Sequence, residues 1–156
     1  MNIGNALTKG KVPLNLRYRY QEADEALDDP GRASTLCTTL AYRTGWWKRL
    51  AAFAEFEDVR NLGLSNEQKS LGARPLWNGV TDRPVIADPP LTEINQAYLE
   101  WKPIGALPFR GGRQEFVVDN ARFIGNIGWR QNHQSFDADE WAWDTDKLWI
   151  WTSWGF

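Results

Sequence analysis

The chain predicts an all-β fold, an antiparallel meander of about five or six strands, and two observations carry that prediction. Four segments alternate apolar and polar side chains with period two, and the connections between them run long, short, long, short. The first observation gives the strands. The second gives their arrangement as hairpins whose long loops gather at one end and whose tight turns gather at the other.

Taken in order, the first strand is LNLRYRYQ, with Leu14, Leu16, Tyr18 and Tyr20 on one face and Asn15, Arg17, Arg19 and Gln21 on the other. The second, Thr35 to Thr44, sets Leu36, Thr38, Leu40 and Tyr42 against Cys37, Thr39, Ala41 and Arg43. The third opposes Leu50, Ala52, Ala54 and Phe56 to Phe53, Glu55 and Glu57; the fourth, Asn95 to Trp101, opposes Ala97, Leu99 and Trp101 to Gln96, Tyr98 and Glu100. A fifth is expected near Leu107 to Phe116, where Pro108 removes a ladder donor and Gly111-Gly112 permits a bulge that would reset the alternation, leaving the facing of Arg113 open. Glycines and asparagines between Val118 and Gln134 predict an irregular segment, with a sixth strand from about Ser135.

A half-buried soluble sheet also alternates, so the period alone does not choose an environment. The connections QEADEALDDPGRA, GWWKR, the stretch Asp58 to Leu91, and KPIGA have the rhythm of an outer-membrane barrel, with long extracellular loops and short periplasmic turns. On that reading Trp46, Trp47 and Trp101 fall at one membrane interface, where indole rings concentrate. No regular element is expected in the long proline-bearing loop, and at most one helical turn in EADEAL.

Composition narrows the classes. Eighteen basic and twenty acidic side chains leave a formal charge of −2, so no whole-molecule field points to nucleic acid. One Cys, Cys37, excludes an internal disulfide, and one His, His133, with no His/Cys spacing pattern predicts no metal and no cofactor. No run of about 18 apolar residues is present, so a membrane role falls to strands. Residues 1–156 could close only a small barrel. The N-terminus MNIGNALTKGKVPLN lacks the features of a secretory signal, although a barrel needs export to reach its membrane.

The segment Gly112 to Ala138, GRQEFVVDNARFIGNIGWRQNHQSFDA, orders its glycines, asparagines and arginines in a way composition does not account for. Together with LNLRYRY at Leu14, FAEFEDVRNLG at Phe53 and ADPPLTEINQAYL at Ala87, it resembles the alginate-export family of outer-membrane β-barrels, in register from about Leu14 to Ala138. The resemblance implies the N-terminal part of such a barrel over 14–138, with 139–156 an atypical tail carrying five of the ten tryptophans. Two readings of that tail stay open: a coding frame shifted near Asp139, or a terminal barrel strand ending on Phe156.

The resemblance further implies a porin-like channel segment in the outer membrane of a Gram-negative bacterium. Its expected partners are outer-membrane lipid, the assembly machinery of that membrane, and an anionic polysaccharide or small anionic solutes, with no nucleic acid. An unfinished cylinder leaves sheet edges that lipid cannot satisfy, so this chain alone is expected not to insert stably as a monomer.

A pore for an acidic polymer needs fixed positive charge on its wall. Arg17, Arg19 and Arg43 share the polar face with Glu55, Glu57 and Glu100, which would pair with the arginines and hold them extended. From the family motif, Arg113, Arg122 and Arg130 are carried over as lining or bracing a constriction, the bracing role running through Asp119 or Asp137. Cys37 and Thr39 are neutral where many relatives carry inward basic residues, which weakens anion selectivity.

Two other classes compete. Paired Glu55 and Glu57 suggest a glycoside hydrolase, and the tryptophans suggest a soluble β-sheet carbohydrate-binding module. A barrel places Leu16, Tyr18, Leu40, Phe56 and Leu99 in an exterior band. A soluble enzyme or lectin places them in a closed core.

Overall fold

The structure, a computed structural model, describes residues 2–25, 29–72, 78–103, 108–118, 120–122, 124–142 and 149–153, with side chains described up to residue 141. Seven strands form a single sheet in sequence order: β1 (Leu14–Ala23), β2 (Gly31–Arg43), β3 (Leu50–Asn61), β4 (Leu91–Trp101), β5 (Phe109–Gln114), β6 (Phe136–Ala142) and β7 (Trp149–Ser153). Every neighbouring pair is antiparallel. The first six strands are the expected meander; the short β7 extends it. Among the described residues β1 pairs only with β2 and β7 only with β6, so the sheet is open and not closed into a barrel. No helix among the described residues is long and apolar enough to cross a membrane.

The strands outgrow their expected bounds at the loop end. β2 begins at Gly31, β3 runs to Asn61 and β4 starts at Leu91, because each added residue finds a ladder partner, as in Ala23 with Gly31 and Val59 with Leu91. Glu22 and Ala23 of the EADEAL stretch are strand and not helical turn; residues 26–28 lie outside the described residues. A strand of about 9–11 residues tilted near 45° spans a bilayer's hydrocarbon core, and β1 to β4 have 10, 13, 12 and 11.

Two short elements were not expected. Helix α1 (Ile3–Thr8) is capped by Asn2, whose side-chain oxygen accepts from Asn5 N at 2.8 Å. It sits against the turn end, where Gly45 N donates to Ala6 O at 2.8 Å. In the long connection 62–90, a 3₁₀ turn (Asn66–Gln68) precedes a parallel bridge between Ser70 and Val85.

The β2–β3 connection closes on Trp47 and Leu50, which exchange two backbone bonds of 2.8 Å. Lys48 and Arg49 between them both have positive φ, 44° and 71°, the handedness that matches the twist of the flanking strands. The expected bulge at Gly111-Gly112 is absent: the β4–β5 ladder runs unbroken from Ala97–Arg113 to Trp101–Phe109. The register shifts on β4 instead, where Asn95 is the extra residue between Ile94 and Gln96. Gly112 nevertheless has its own requirement. Its φ is 127°, and a Cβ there would lie 2.4 Å from Ala97 O.

Burial is inverted relative to a soluble sheet. The apolar face is the exposed one: Leu16 and Tyr18 are 60% exposed, Leu99 58%, Phe56 54% and Leu40 46%. No closed core gathers them. On the opposite face Thr35, Cys37, Thr39, Glu57, Asn95 and Gln114 are buried. Trp101 and Trp141 are exposed on the apolar side at the turn end, with the Phe109 ring tilted against Trp141 at 4.7 Å between ring centres. Trp46 does not join that belt. It lies between Arg43 and Lys102, 5.8 and 4.5 Å from its ring centre.

Candidate lumen site

The polar face is buried because two connections cover it. Residues 115–135, between β5 and β6, carry turns and a single bridge from Val118 to Ile124, as their glycines and asparagines predicted. Residues 69–71 and 84–90 of the β3–β4 connection are also largely buried. Both meet the wall through polar groups.

Arg17 reaches from β1 into the first of these segments. Its Nε donates to Gln131 Oε1 and its Nη1 to Gly128 O, each at 2.8 Å, and its Nη2 donates to Arg130 O. Arg19, two residues on, donates to Trp129 O and stands 3.8 Å from Asp88. Helix-like and turn segments leave carbonyls without ladder partners, and an extended guanidinium satisfies several of them at once.

Gln131 is fully buried at the centre of this contact. Its Nε2 donates to Thr35 Oγ1 at 2.9 Å, Thr35 O at 3.1 Å and Arg17 O at 3.2 Å. Its backbone N donates to Asp88 Oδ1 at 3.1 Å. Asp88 in turn belongs to the other connection, where the buried Lys69 donates from Nζ to Asp88 O at 2.7 Å. Burial pushes the Lys69 ammonium below its ordinary range, and the Asp88 charge partly offsets this.

A second contact lies one strand further on. Glu57 of β3, with no exposed surface, accepts from His133 N at 3.0 Å on Oε1 and faces His133 Nδ1 at 2.5 Å with Oε2. Glu115 stands 3.7 Å from the same imidazole. Close contact with the Glu57 carboxylate raises the His133 pKa above its usual value against the opposing effect of burial, and the Glu115 charge adds to the rise. Glu115 also accepts from Asn95 at 2.6 Å and Asn126 at 2.5 Å, which ties the bulge on β4 to the covering segment.

Nearer the turn end this polar face is uncovered. Arg43 pairs with Glu100, and Arg110 stands 3.4 Å from Glu100 and 3.6 Å from Glu140. Phe53 and Tyr98 stack at 5.0 Å, and the Arg110 guanidinium lies 4.7 Å from the Tyr98 ring centre. Beside them Trp46, Lys102 and Phe109 help line a recess of about 170 Å³.

Of the residues singled out from the sequence, Arg17, Arg19, Arg43, Glu55, Glu57 and Glu100 are on this face. Their partners differ from the simple pairing expected. Only Glu100 meets one of the three wall arginines; Glu55 accepts from Asn95 at 2.9 Å and Gln96 at 3.0 Å, and Glu57 takes His133. Arg130 lends its carbonyl to Arg17 while its guanidinium lies 4.8 Å from the Trp129 ring centre. Arg122 is on an exposed turn of the covering segment.

Arg113 stands apart. Its ladder partner is Ala97, on the exposed face, while Gly112 and Gln114 on either side take the buried one. It forms two 3.0 Å bonds to Asp137, one of the two braces expected for it; Asp119 lies outside the described residues. Beside that pair Asp139 folds over Gly111, where an added Cβ would stand 2.8 Å from its carboxylate.

Arg110, Lys69, Asp88, Gln131 and His133 were not among the expected site residues. Gln131 and His133 sit inside the motif-rich segment, so its composition was a signal for them. Asp88 falls in ADPPLTEINQAYL, one of the segments that carry the resemblance, whereas nothing local marks Lys69. Among the described residues no cluster of His, Cys, Asp or Glu is arranged to hold a metal.

An exposed apolar face, a polar face covered by folded-over connections, and hairpins with long loops at one end are the features of a stretch of porin-type β-barrel wall. The sequence profile of the family described as alginate export matches residues 11–154, and the chain belongs to that family, whose members are outer-membrane export porins of Gram-negative bacteria and not enzymes. The match takes in the Trp-rich stretch beyond Ala138. No curated protein and no solved structure matches the chain.

Proposed function

We propose that the polar face is the lumen wall of a channel segment through which an anionic polysaccharide or small anionic solutes move by export or passive diffusion. The single observation that carries this reading is the inverted burial: exposed Leu16, Tyr18, Leu40, Phe56 and Leu99 on one side, covered polar groups on the other. Lipid is the partner that such an exterior suits, and the outer-membrane assembly machinery is the partner needed to place it there.

Arg17, Arg19 and Arg130 brace the covering segment against the wall. Arg43 and Arg110, beside Glu100, Glu140, Phe53 and Tyr98, form the part of the face a solute would meet. Alternating charge and an aromatic platform suit a carboxylated sugar that must bind weakly enough to leave. Arg113, on the outer face, is not part of this lining.

Binding in detergent micelles tests the reading. Carboxylated and neutral oligosaccharides of equal length would be titrated against the chain and against Arg43→Ala/Arg110→Ala. A response to the carboxylated form alone, lost in the double variant, supports the proposal. An equal response to both sugars, or one unaffected by the variant, would sink it.

A further inference from the structure

The covering segment is held to the wall in two ways that differ chemically. Arg17 and Gln131 hold residues 128–131 through groups that do not titrate near neutral pH. His133, two positions on, holds through one that does. Its backbone N and its Nδ1 both address Glu57, at 3.0 and 2.5 Å, and Glu57 has no exposed surface.

We propose that His133, in its protonated form, is a positioning residue that keeps residues 131–135 seated on the lumen wall, and that its deprotonation unseats them. The inference rests on reading the covered face as a lumen.

The charges around the imidazole give the reason. From β3 comes Glu57; from the start of the covering segment, Glu115 at 3.7 Å; from β4, Glu93, whose carboxyl feels both Glu57 and His133. Arg17 of β1 is the cation whose charge also reaches the imidazole. Protonated His133 therefore offsets a cluster of three carboxylates, one of them fully buried. A neutral imidazole still donates one hydrogen bond, but it leaves Glu57 a buried charge with little compensation, which is the costly arrangement.

The sign follows from the direction of the shift. A raised folded-state pKa means that the contact contributes in full below the ordinary histidine range and is lost as pH rises through the folded value. The segment is seated in acid and loosens as pH rises through the folded value. In a lumen this widens the passage as pH rises.

Cys37 provides a native reporter. It is the chain's one cysteine, 2% exposed, on the lumen face between Thr35, which Gln131 binds, and Thr39, the ladder partner of Glu57. Unseating 131–135 uncovers it. The experiment is the labelling rate of Cys37 by a membrane-impermeant maleimide, on the full chain in detergent micelles at about pH 6 and about pH 8.5. Each rate is divided by that of the urea-unfolded chain at the same pH, which removes most of the thiol's own ionisation, and variants at Glu57 and His133, which keep the same thiol, control for the remainder.

The expected result is a normalised rate several-fold higher at the alkaline pH, and a flat profile in both Glu57→Gln and His133→Gln. Glu57→Gln stays slow throughout because no buried charge remains to be offset. A flat profile in the unaltered chain overturns the proposal, as does an equal rise in either variant. The assay reads the seating of the segment and no transport, so it can fail while the channel reading stands, and the reverse.

Discussion

The backbone N of Gln131 donates to the side chain of Asp88 at 3.1 Å, across 43 positions of sequence. That bond joins the two covering connections to each other before either meets the wall. Gln131 then reaches Thr35 and Arg17 with its amide, while Asp88 accepts Lys69 on its carbonyl and faces Arg19. The two connections thus meet each other over β1 and β2 through paired polar groups.

Gln131→Ala would leave Arg17 Nε, Thr35 Oγ1 and two wall carbonyls without their partner in a buried place. Unsatisfied buried groups cost about 1–3 kcal/mol each, with partial relaxation, so a loss of about 2–4 kcal/mol is expected. Urea unfolding in micelles measures it, and protease cleavage between 115 and 135 should appear at lower urea than global unfolding. A variant as stable as the parent would mean that the segment is seated by something else.

Lys69 gives the opposite pH dependence to His133. Its folded pKa is lowered by burial, so between the folded and the ordinary lysine pKa the unfolded chain binds more protons. Stability should therefore climb with pH on the alkaline side. Lys69→Met removes that slope; comparing urea midpoints of parent and variant across mildly alkaline pH checks it, and parallel curves would refute the assignment.

The exposed apolar band makes a facing-dependent prediction. Leu16→Arg or Leu99→Arg puts a charge on the outer face at the height lipid covers, and an arginine near the bilayer midplane of a barrel costs about 2–4 kcal/mol. Thr39→Gln, on the other face, meets protein and lumen and carries no lipid penalty. Refolding into detergent micelles of increasing alkyl-chain length, followed by tryptophan fluorescence, should show the arginine variants failing first. Equal loss on both faces would argue against a lipid exterior.

Gly112 is fixed by backbone and not by packing alone. At φ 127° an L side chain is strained, and its Cβ would stand 2.4 Å from Ala97 O on β4. Gly112→Ala should cost about 1–3 kcal/mol and loosen the β4–β5 ladder. Amide exchange at Leu99 and Gly111 reports that loosening directly; unchanged protection there would show that the strands absorb the side chain.

The alternation of Leu14 to Gln21, Thr35 to Arg43 and Leu50 to Glu57 determined the strands, their pairing as hairpins and which side chains share a face, because a period of two is a local property of extended chain. The motif between Gly112 and Ala138 marked the segment that covers the polar face. Tertiary structure alone decided the rest. Asn95, not Gly111-Gly112, takes the extra residue of the ladder because its side chain has Glu55 and Glu115 to bond on the lumen side. Glu57 meets His133 and not an arginine because an irregular segment, free of any periodic constraint, lays its donors where the wall's buried carboxylate needs them. Lys69 looks like an ordinary loop residue in sequence and Asp88 stands out only by its motif, and only the fold of 62–90 against 115–135 buries them together. Local pattern sets which way a strand faces; what covers a face depends on contacts between residues far apart in the chain, and no local signal carries those.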